Sequence, residues 1–202
     1  MINNRSIAIL ISGRGSNMLA LFEAIKTGRL HANVAIVISN RADAAGIKLA
    51  QEQGYQTLVI PSKGLTKAEH EAKLISELEK YNPSLICLAG YMRLLSAEFI
   101  QKFPNQILNI HPSLLPAFPG LDVQQQAIVY GVKYSGCTVH FVDEGCDSGP
   151  IIAQAVVEVL DTDTKETLAA RILVQEHRIY AEALEFILNG NWKILGRRVI
   201  KT

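Results

Sequence analysis

The chain has 202 residues, with 20 Lys+Arg against 19 Asp+Glu and a formal net charge of +1. That balance argues against a general nucleic-acid binder or a polybasic membrane binder, either of which needs a strong basic excess. Hydrophobic residues make up 49% and charged residues 19%, too apolar for disorder, while the aromatic share of 6% is thin for a base-stacking surface.

The first half alternates short apolar runs with longer helix-period segments. Strands are expected at Ser6–Ile11, Val34–Ser39, Thr57–Ile60, Leu85–Ala89 and Ile107–Ile110, rich in Ile and Val as parallel strands covered on both faces are. Helices are expected between them at Asn17–Thr27, Ala44–Gln53, Lys67–Tyr81 and Ala97–Phe103. In the third helix, Leu74, Ile75 and Leu78 mark an apolar stripe. The alternation predicts an α/β fold: a doubly wound, mostly parallel sheet with helices on both faces.

The pattern changes after Pro104. The Pro-rich run His111–Gly120 lacks the donors that a ladder needs and reads as a loop. Strands at Cys137–Val142 and Ile151–Leu160 flank the segment 143–150. A long helix follows, opened by Asp163 with Glu166 three residues on and ended by Asn189-Gly190, and the tail Trp192–Ile200 reads as a final edge strand. No repeat or linker divides the chain. One domain is expected over 1–202, with a first half at 1–104 and a second at 105–202.

Cys87, Cys137 and Cys146 are odd in number and form no CxxC pair, which excludes a disulfide framework and a Cys-based zinc site. No run approaches the ~20 apolar residues of a membrane span. The start MINNRSIAIL shows no apolar leader, so a cytoplasmic protein is expected.

Between the first strand and the first helix stands Ser12-Gly13-Arg14-Gly15-Ser16-Asn17. Glycines permit positive φ and close backbone approach, and a helix N-terminus offers unpaired N–H groups. Ser16 or Asn17 can cap the helix or bond a phosphate oxygen. The dinucleotide fingerprint is incomplete and no P-loop Lys follows, so a phosphomonoester fits better than NAD. A tight turn with a capped helix is the competing reading. Asp43 stands near the spacing of a ribose-binding acid, but within the turn Asn40–Asp43.

Asn109 and His111 are two apart at a strand's end, so both side chains share one face. An amide beside an imidazole suits acyl transfer: the amide stabilises an oxyanion, and the imidazole does so too or moves a proton. His140 alternates with Val139 and Phe141 and sits on one strand face. Asp147 lies between Gly145 and Gly149, free to approach another group. A carboxylate beside His111 would favour the imidazolium. Local alternatives are a turn Asn with a capping His, and an Asx-turn Asp. His31 and His70 read as surface positions. No histidine has the spacing of a metal site.

Together these segments resemble the folate-dependent formyltransferases. The matches are Ser12–Asn17, Leu88–Ser96, the Asn109-Ile110-His111-Pro112-Ser113-Leu114-Leu115-Pro116 block, and Gly136–Val142 through Asp147–Ile152. The glycine loop is similar to that of the branch acting on glycinamide ribonucleotide. The resemblance implies formyl transfer from 10-formyltetrahydrofolate, a co-substrate, to that ribotide's amine, without a metal. It implies that Asn109 and His111 stabilise the tetrahedral oxyanion, while Asp147 holds His111 charged and relays a proton through water. Gly15, Ser16 and Asn17 would hold the phosphate and Glu176 the ribose. Met92, Arg93, Leu94 and Leu95 would line the pterin pocket, with the backbone of Asp143, Glu144, Gly145, Cys146 and Asp147 bonding its edge. Lys67 stands where relatives carry an Arg towards the folate tail, a point charge in place of a fork. Cys146 replaces a larger aliphatic. A cis Leu115–Pro116 bond is implied as well, and the unit would be a monomer or homodimer without nucleic-acid or membrane partners.

Three rivals remain. A formyltetrahydrofolate hydrolase would share the catalytic block but carry an N-terminal regulatory domain. A methionyl-tRNA formyltransferase would need a further C-terminal domain and a basic surface. A non-catalytic nucleotide-binding module would have lost part of the Asn109, His111 and Asp147 set.

Overall fold

The computed structural model describes residues 4–202; residues 1–3, the opening of the expected domain, lie outside them. Among the described residues, nine strands form one sheet in the order β3-β2-β1-β4-β5-β6-β7-β9-β8. The first five are β1 (Ser6–Ile11), β2 (Asn33–Ser39), β3 (Thr57–Val59), β4 (Leu85–Leu88) and β5 (Ile107–His111). They pair in parallel, as their apolar composition predicts. β6 (Tyr134–Phe141) and β7 (Ile151–Glu158) then run antiparallel.

Helices α1 (Ser16–Lys26), α2 (Ala45–Glu52), α3 (Lys67–Tyr81), α4 (Ala97–Lys102), α5 (Val123–Val129) and α6 (Lys165–Leu188) complete the layers. Two apolar cores form, one on each face. Leu21 and Phe22 of α1, Ile47 of α2 and Ile172, Ile179 and Leu184 of α6 pack on one side. Leu74 and Leu78 of α3 and Phe99 of α4 pack on the other. The winding therefore reverses between β1 and β4, and open α/β sheets place ligands outside the carboxyl ends of strands at such a point.

Four local readings are corrected. The α6 cap is Thr164, one residue past Asp163: its hydroxyl accepts from the Thr167 N–H, and the Thr167 side chain returns the bond. Asp163 is instead clasped by Arg171, whose hydrogen bonds hold its carboxyl far below the usual carboxylate range. The tail is a hairpin of β8 (Trp192–Leu195) and β9 (Arg198–Lys201) rather than one strand, because Gly196 at φ 61 reverses the chain. α5 was not expected, since its three consecutive glutamines show no apolar stripe beyond Val123 and Ala127.

His70, expected on the surface, is 1% exposed. It occupies the turn before Leu74 and Leu78 on the buried stripe of α3, and its Nε2–H donates to the Ile60 carbonyl at 3.0 Å. Burial pushes its pKa down. His31 is exposed as expected.

Candidate active site

The glycine loop follows β1 directly. Gly15 is the N-cap of α1 at φ 78, and no side chain caps that helix. Ser16 and Asn17 therefore do not spend their polar atoms on capping. Gly46, in the first turn of α2, donates its N–H to the Gly13 carbonyl at 3.0 Å. A Cβ at Gly46 would stand 3.1 Å from that oxygen and 3.3 Å from the Gly15 Cα, so only glycine lets α2 support the loop this closely.

Asn17 is buried, and its Nδ2 donates to Glu176 Oε2 at 2.7 Å, across from α6. The Asn17 Oδ1 is buried with no partner. Glu176 is also buried, and desolvation pushes its carboxyl pKa up. The N-terminal backbone of α1, an unpaired amide oxygen and a half-satisfied carboxyl thus lie together, a set suited to an anion carrying hydroxyl groups. Asp43 lies outside it, paired with Arg41 at 2.8 Å on the surface.

The second cluster forms where the sheet turns antiparallel. Leu108 and Ile110 pack into the core beneath α6, so Asn109 and His111 point to the other face. Antiparallel register sets Asn109 opposite His140 and His111 opposite Thr138, with Thr138 opposite Gln154 on β7. One face of three strands therefore carries five polar side chains, and the Pro-rich loop covers them. Thr138 Oγ1 donates to the Ser113 carbonyl at 2.7 Å and accepts from the Leu115 N–H at 3.0 Å. Gln154 Nε2 donates to the Leu115 carbonyl at 2.9 Å. The Leu115–Pro116 bond within this loop is cis.

Asp147 closes the cluster from the loop after β6. Its Oδ2 lies 3.4 Å from His111 Nδ1 and accepts from the Gly120 N–H at 2.9 Å, and its Oδ1 lies 3.7 Å from His140 Nε2. A Cβ at Gly149 would overlap the Phe141 carbonyl oxygen, and one at Gly145 would overlap the Ser148 hydroxyl. The two glycines are thus needed for close approach. Asp143 ties the loop internally, accepting from the Gly145 N–H and the Ser148 hydroxyl.

Hydrogen-bond partners assign the tautomers. His111 Nε2 faces the Phe118 carbonyl at 2.9 Å, and a carbonyl only accepts, so Nε2 carries a proton. Nδ1 is left as the nitrogen that faces Asp147. The Ser113 hydroxyl holds the same Phe118 oxygen at 3.0 Å. His140 Nδ1–H donates to the Phe141 carbonyl at 2.8 Å, and its Nε2 accepts from Asn109 Nδ2 at 3.2 Å. Burial lowers the His140 pKa, which matches a neutral acceptor ring. One N–H of the Asn109 amide is thereby spent on His140, and the other is left for a ligand.

Asn109, His111 and Asp147 are therefore brought together, as are the glycine loop and Glu176. Met92 and Leu94 are 70% and 69% exposed on the loop after β4. Glu144 accepts from Gln101 at 2.9 Å, and the Cys146 thiol lies 3.6 Å from Asp147 Oδ2. Lys67 is exposed in the first turn of α3, and no hydrogen bond or ion pair among the described residues joins it to either cluster. His140, Ser113, Thr138 and Gln154 were not among the expected site residues. The signal for His140, Thr138 and Gln154 was polar residues at alternate positions in strands, whereas Ser113 lies in the Pro-rich loop and carried none. A groove of about 520 Å3 between β3 and α3 contains none of these groups.

Comparison with known proteins settles the kinship. The formyl transferase family model matches residues 5–184. This chain belongs to the formyl transferase family. It is 40% identical over 190 residues to the phosphoribosylglycinamide formyltransferase of Escherichia coli, covering 94% of this chain and 90% of that one. It is 46% identical over 189 residues to the trifunctional purine biosynthetic protein adenosine-3 of Drosophila melanogaster, of whose length it spans only 14%. A solved structure of glycinamide ribonucleotide transformylase 1 from Symbiobacterium toebii superposes with a TM-score of 0.95 at 49% identity, covering 98% of this chain and 94% of that one. A formyltetrahydrofolate deformylase from Pseudomonas syringae gives 0.92 at 25% identity, covering 98% of this chain and 66% of that one. The expected fold and the resemblance to the ribotide branch of the family are borne out.

No helix among the described residues is long and apolar enough to cross a membrane.

Proposed function

We propose that this formyl transferase moves the formyl group of 10-formyltetrahydrofolate to the amine of glycinamide ribonucleotide, with Asn109, His111 and Asp147 at the reacting carbon. The observation that carries the reading is the contact of His111 Nδ1 with Asp147 Oδ2 at 3.4 Å, on the same face as Asn109. The ribotide amine attacks the formyl carbon, and the carbonyl electron pair moves onto oxygen. The remaining Asn109 N–H and the His111 ring stabilise that oxyanion. Collapse of the intermediate breaks the bond to folate N10. The amine loses a proton and N10 gains one, with Asp147 relaying it through water.

Gly15, Ser16 and Asn17 hold the phosphate, and Glu176 accepts from the ribose. Met92, Arg93, Leu94 and Leu95 form the pterin wall, completed by the backbone of Asp143, Glu144, Gly145, Cys146 and Asp147, and Lys67 meets the folate tail. A single domain over 1–202, with the phosphate loop in 1–104, the catalytic residues in 105–202 and the folate wall drawn from both, the absence of a metal, a monomeric or homodimeric state without nucleic-acid or membrane partners, and a cytoplasmic location belong to the same proposal.

The test mixes the protein with 10-formyltetrahydrofolate, with and without glycinamide ribonucleotide, and follows folate absorbance. Turnover that requires the ribotide is the expected result. Turnover without it would favour the deformylase reading, and none in either case a binding module.

A further inference from the structure

We propose that Ser12 and Asn40 are a positioning pair for folate binding, acting through the Met92 backbone and touching neither substrate. The proposal rests on the assignment of Met92–Leu95 to the folate, made above.

Ser12 is the first residue past β1, at the point where the sheet winding reverses between β1 and β4. It is 5% exposed, and Asn40 is 7% exposed. The Ser12 N–H donates to the Gly90 carbonyl at 3.1 Å. Its hydroxyl accepts from the Met92 N–H at 2.8 Å and donates to Asn40 Oδ1 at 2.6 Å. Asn40 Nδ2 in turn donates to Ser62 Oγ at 3.2 Å, and the Ser62 N–H donates to the Asn40 carbonyl at 3.0 Å. The loops after β1, β2, β3 and β4 are thereby joined by one run of polar bonds. The Ser12 oxygen has one proton to give. Asn40 takes it, so the lone pairs are the part presented to Met92.

The wall is held at its far end too. Glu71, buried on α3, accepts from the Ser96 N–H at 3.0 Å and from the Ser96 hydroxyl. Between these anchors Met92 and Leu94 stand out into solvent, an unfavourable position for two large apolar side chains. A segment free at either end would fold them back against the protein. Anchoring both ends keeps the apolar surface displayed for a flat ligand to cover.

The experiment measures the KM of both substrates and the calorimetric Kd of tetrahydrofolate in Ser12→Ala, Asn40→Leu, Asn40→Asp and the Ser12→Ala/Asn40→Leu double variant. Ser12→Ala and Asn40→Leu should each raise the folate KM and Kd about tenfold, with the ribotide KM and kcat changed less than about threefold. The double variant should be no worse than the weaker single, because one interaction is removed either way. Asn40→Asp keeps the acceptor for the Ser12 hydroxyl and should stay near wild type, and it tests the pair independently if Ser12→Ala does not fold. Equal rises in both KM values, additive single effects, or Asn40→Asp as weak as Asn40→Leu would overturn the pairing. If the wild-type protein binds no tetrahydrofolate, the functional reading fails with it. Binding by the wild type with an unaltered Ser12→Ala variant overturns the positioning pair alone.

Discussion

Under the proposed function, the glycine loop and the Asn109–His111–Asp147 cluster solve opposite problems. The loop is made of backbone: Gly15 caps α1 without help from a side chain, and the buried Asn17 Oδ1 has no partner. The cluster is made of side chains that are already held, Asn109 by His140, His111 by Asp147 and the Phe118 carbonyl, and Asp147 by the Gly120 N–H. A group that binds a ground-state substrate can wait with its bonds unmade. Groups that must meet a short-lived charge are oriented in advance, so that no reorganisation is needed when it forms.

If that contrast holds, damage to the cluster should appear in kcat and damage to the loop in one KM. The largest effect is expected for Asp147→Asn. The amide can still accept from Gly120, and Asn tolerates the left-handed backbone at φ 52, so the melting temperature should move little. Steady-state kinetics should show kcat falling at least about 10²-fold, with both KM values changed far less. A rise confined to KM would break the contrast. Ser16→Ala combined with Asn17→Ala comes next. It removes a phosphate donor and strands the Glu176 carboxyl, and bonds to charged groups contribute about 1.5–3 kcal/mol each. The ribotide KM should rise at least about tenfold while calorimetry shows normal folate binding. Equal weakening of both ligands would refute the phosphate assignment.

Gly46→Ala should be milder. The added methyl meets the end of the Ile11 side chain at 2.7 Å and the Gly13 carbonyl at 3.1 Å; the Ile11 side chain turns aside and the loop shifts by a few tenths of an ångström, so the same kinetics should record a rise of a few-fold in the ribotide KM alone. The smallest effect is global. Burial lowers the folded-state pKa of His70 and of His140. Below about pH 6.5 the unfolded chain takes up protons before the folded one does, so stability is full above that pH and declines beneath it. Urea denaturation between pH 5 and 8 should show this decline, and His70→Gln should flatten it.

The parallel half of the sheet was legible because each strand is an Ile- and Val-rich run between helix-period segments. Asn109 and His111 stood out as polar residues in an apolar strand, and Asp147 as a carboxylate between two loop glycines. His140 was visible on a strand face, but its role depends on a register that sets it opposite Asn109, and only the folded sheet determines that. The Phe118 carbonyl that orients His111 is backbone, so no residue code announces it. Ser12, Asn40 and Ser62 are ordinary loop residues in sequence, and their bonds exist only where four loops converge. His70 was misread because a polar residue at a stripe position looks like a surface residue until its acceptor is known.

The left-handed backbone at Asp147 bears on which sequences this position can tolerate. At φ 52, glycine, asparagine and aspartate sit with little strain, whereas a longer side chain such as glutamate is disfavoured. The proposed chemistry asks instead for an acid, which admits aspartate and glutamate. The two requirements overlap in a single amino acid. Among random substitutions the nearest alternatives each fail in their own way: glutamate keeps the charge and strains the chain, and asparagine keeps the chain relaxed and loses the charge. A saturation library at this codon selected for growth on formyl transfer should return aspartate alone, while the same library selected for folding should return all three relaxed residues.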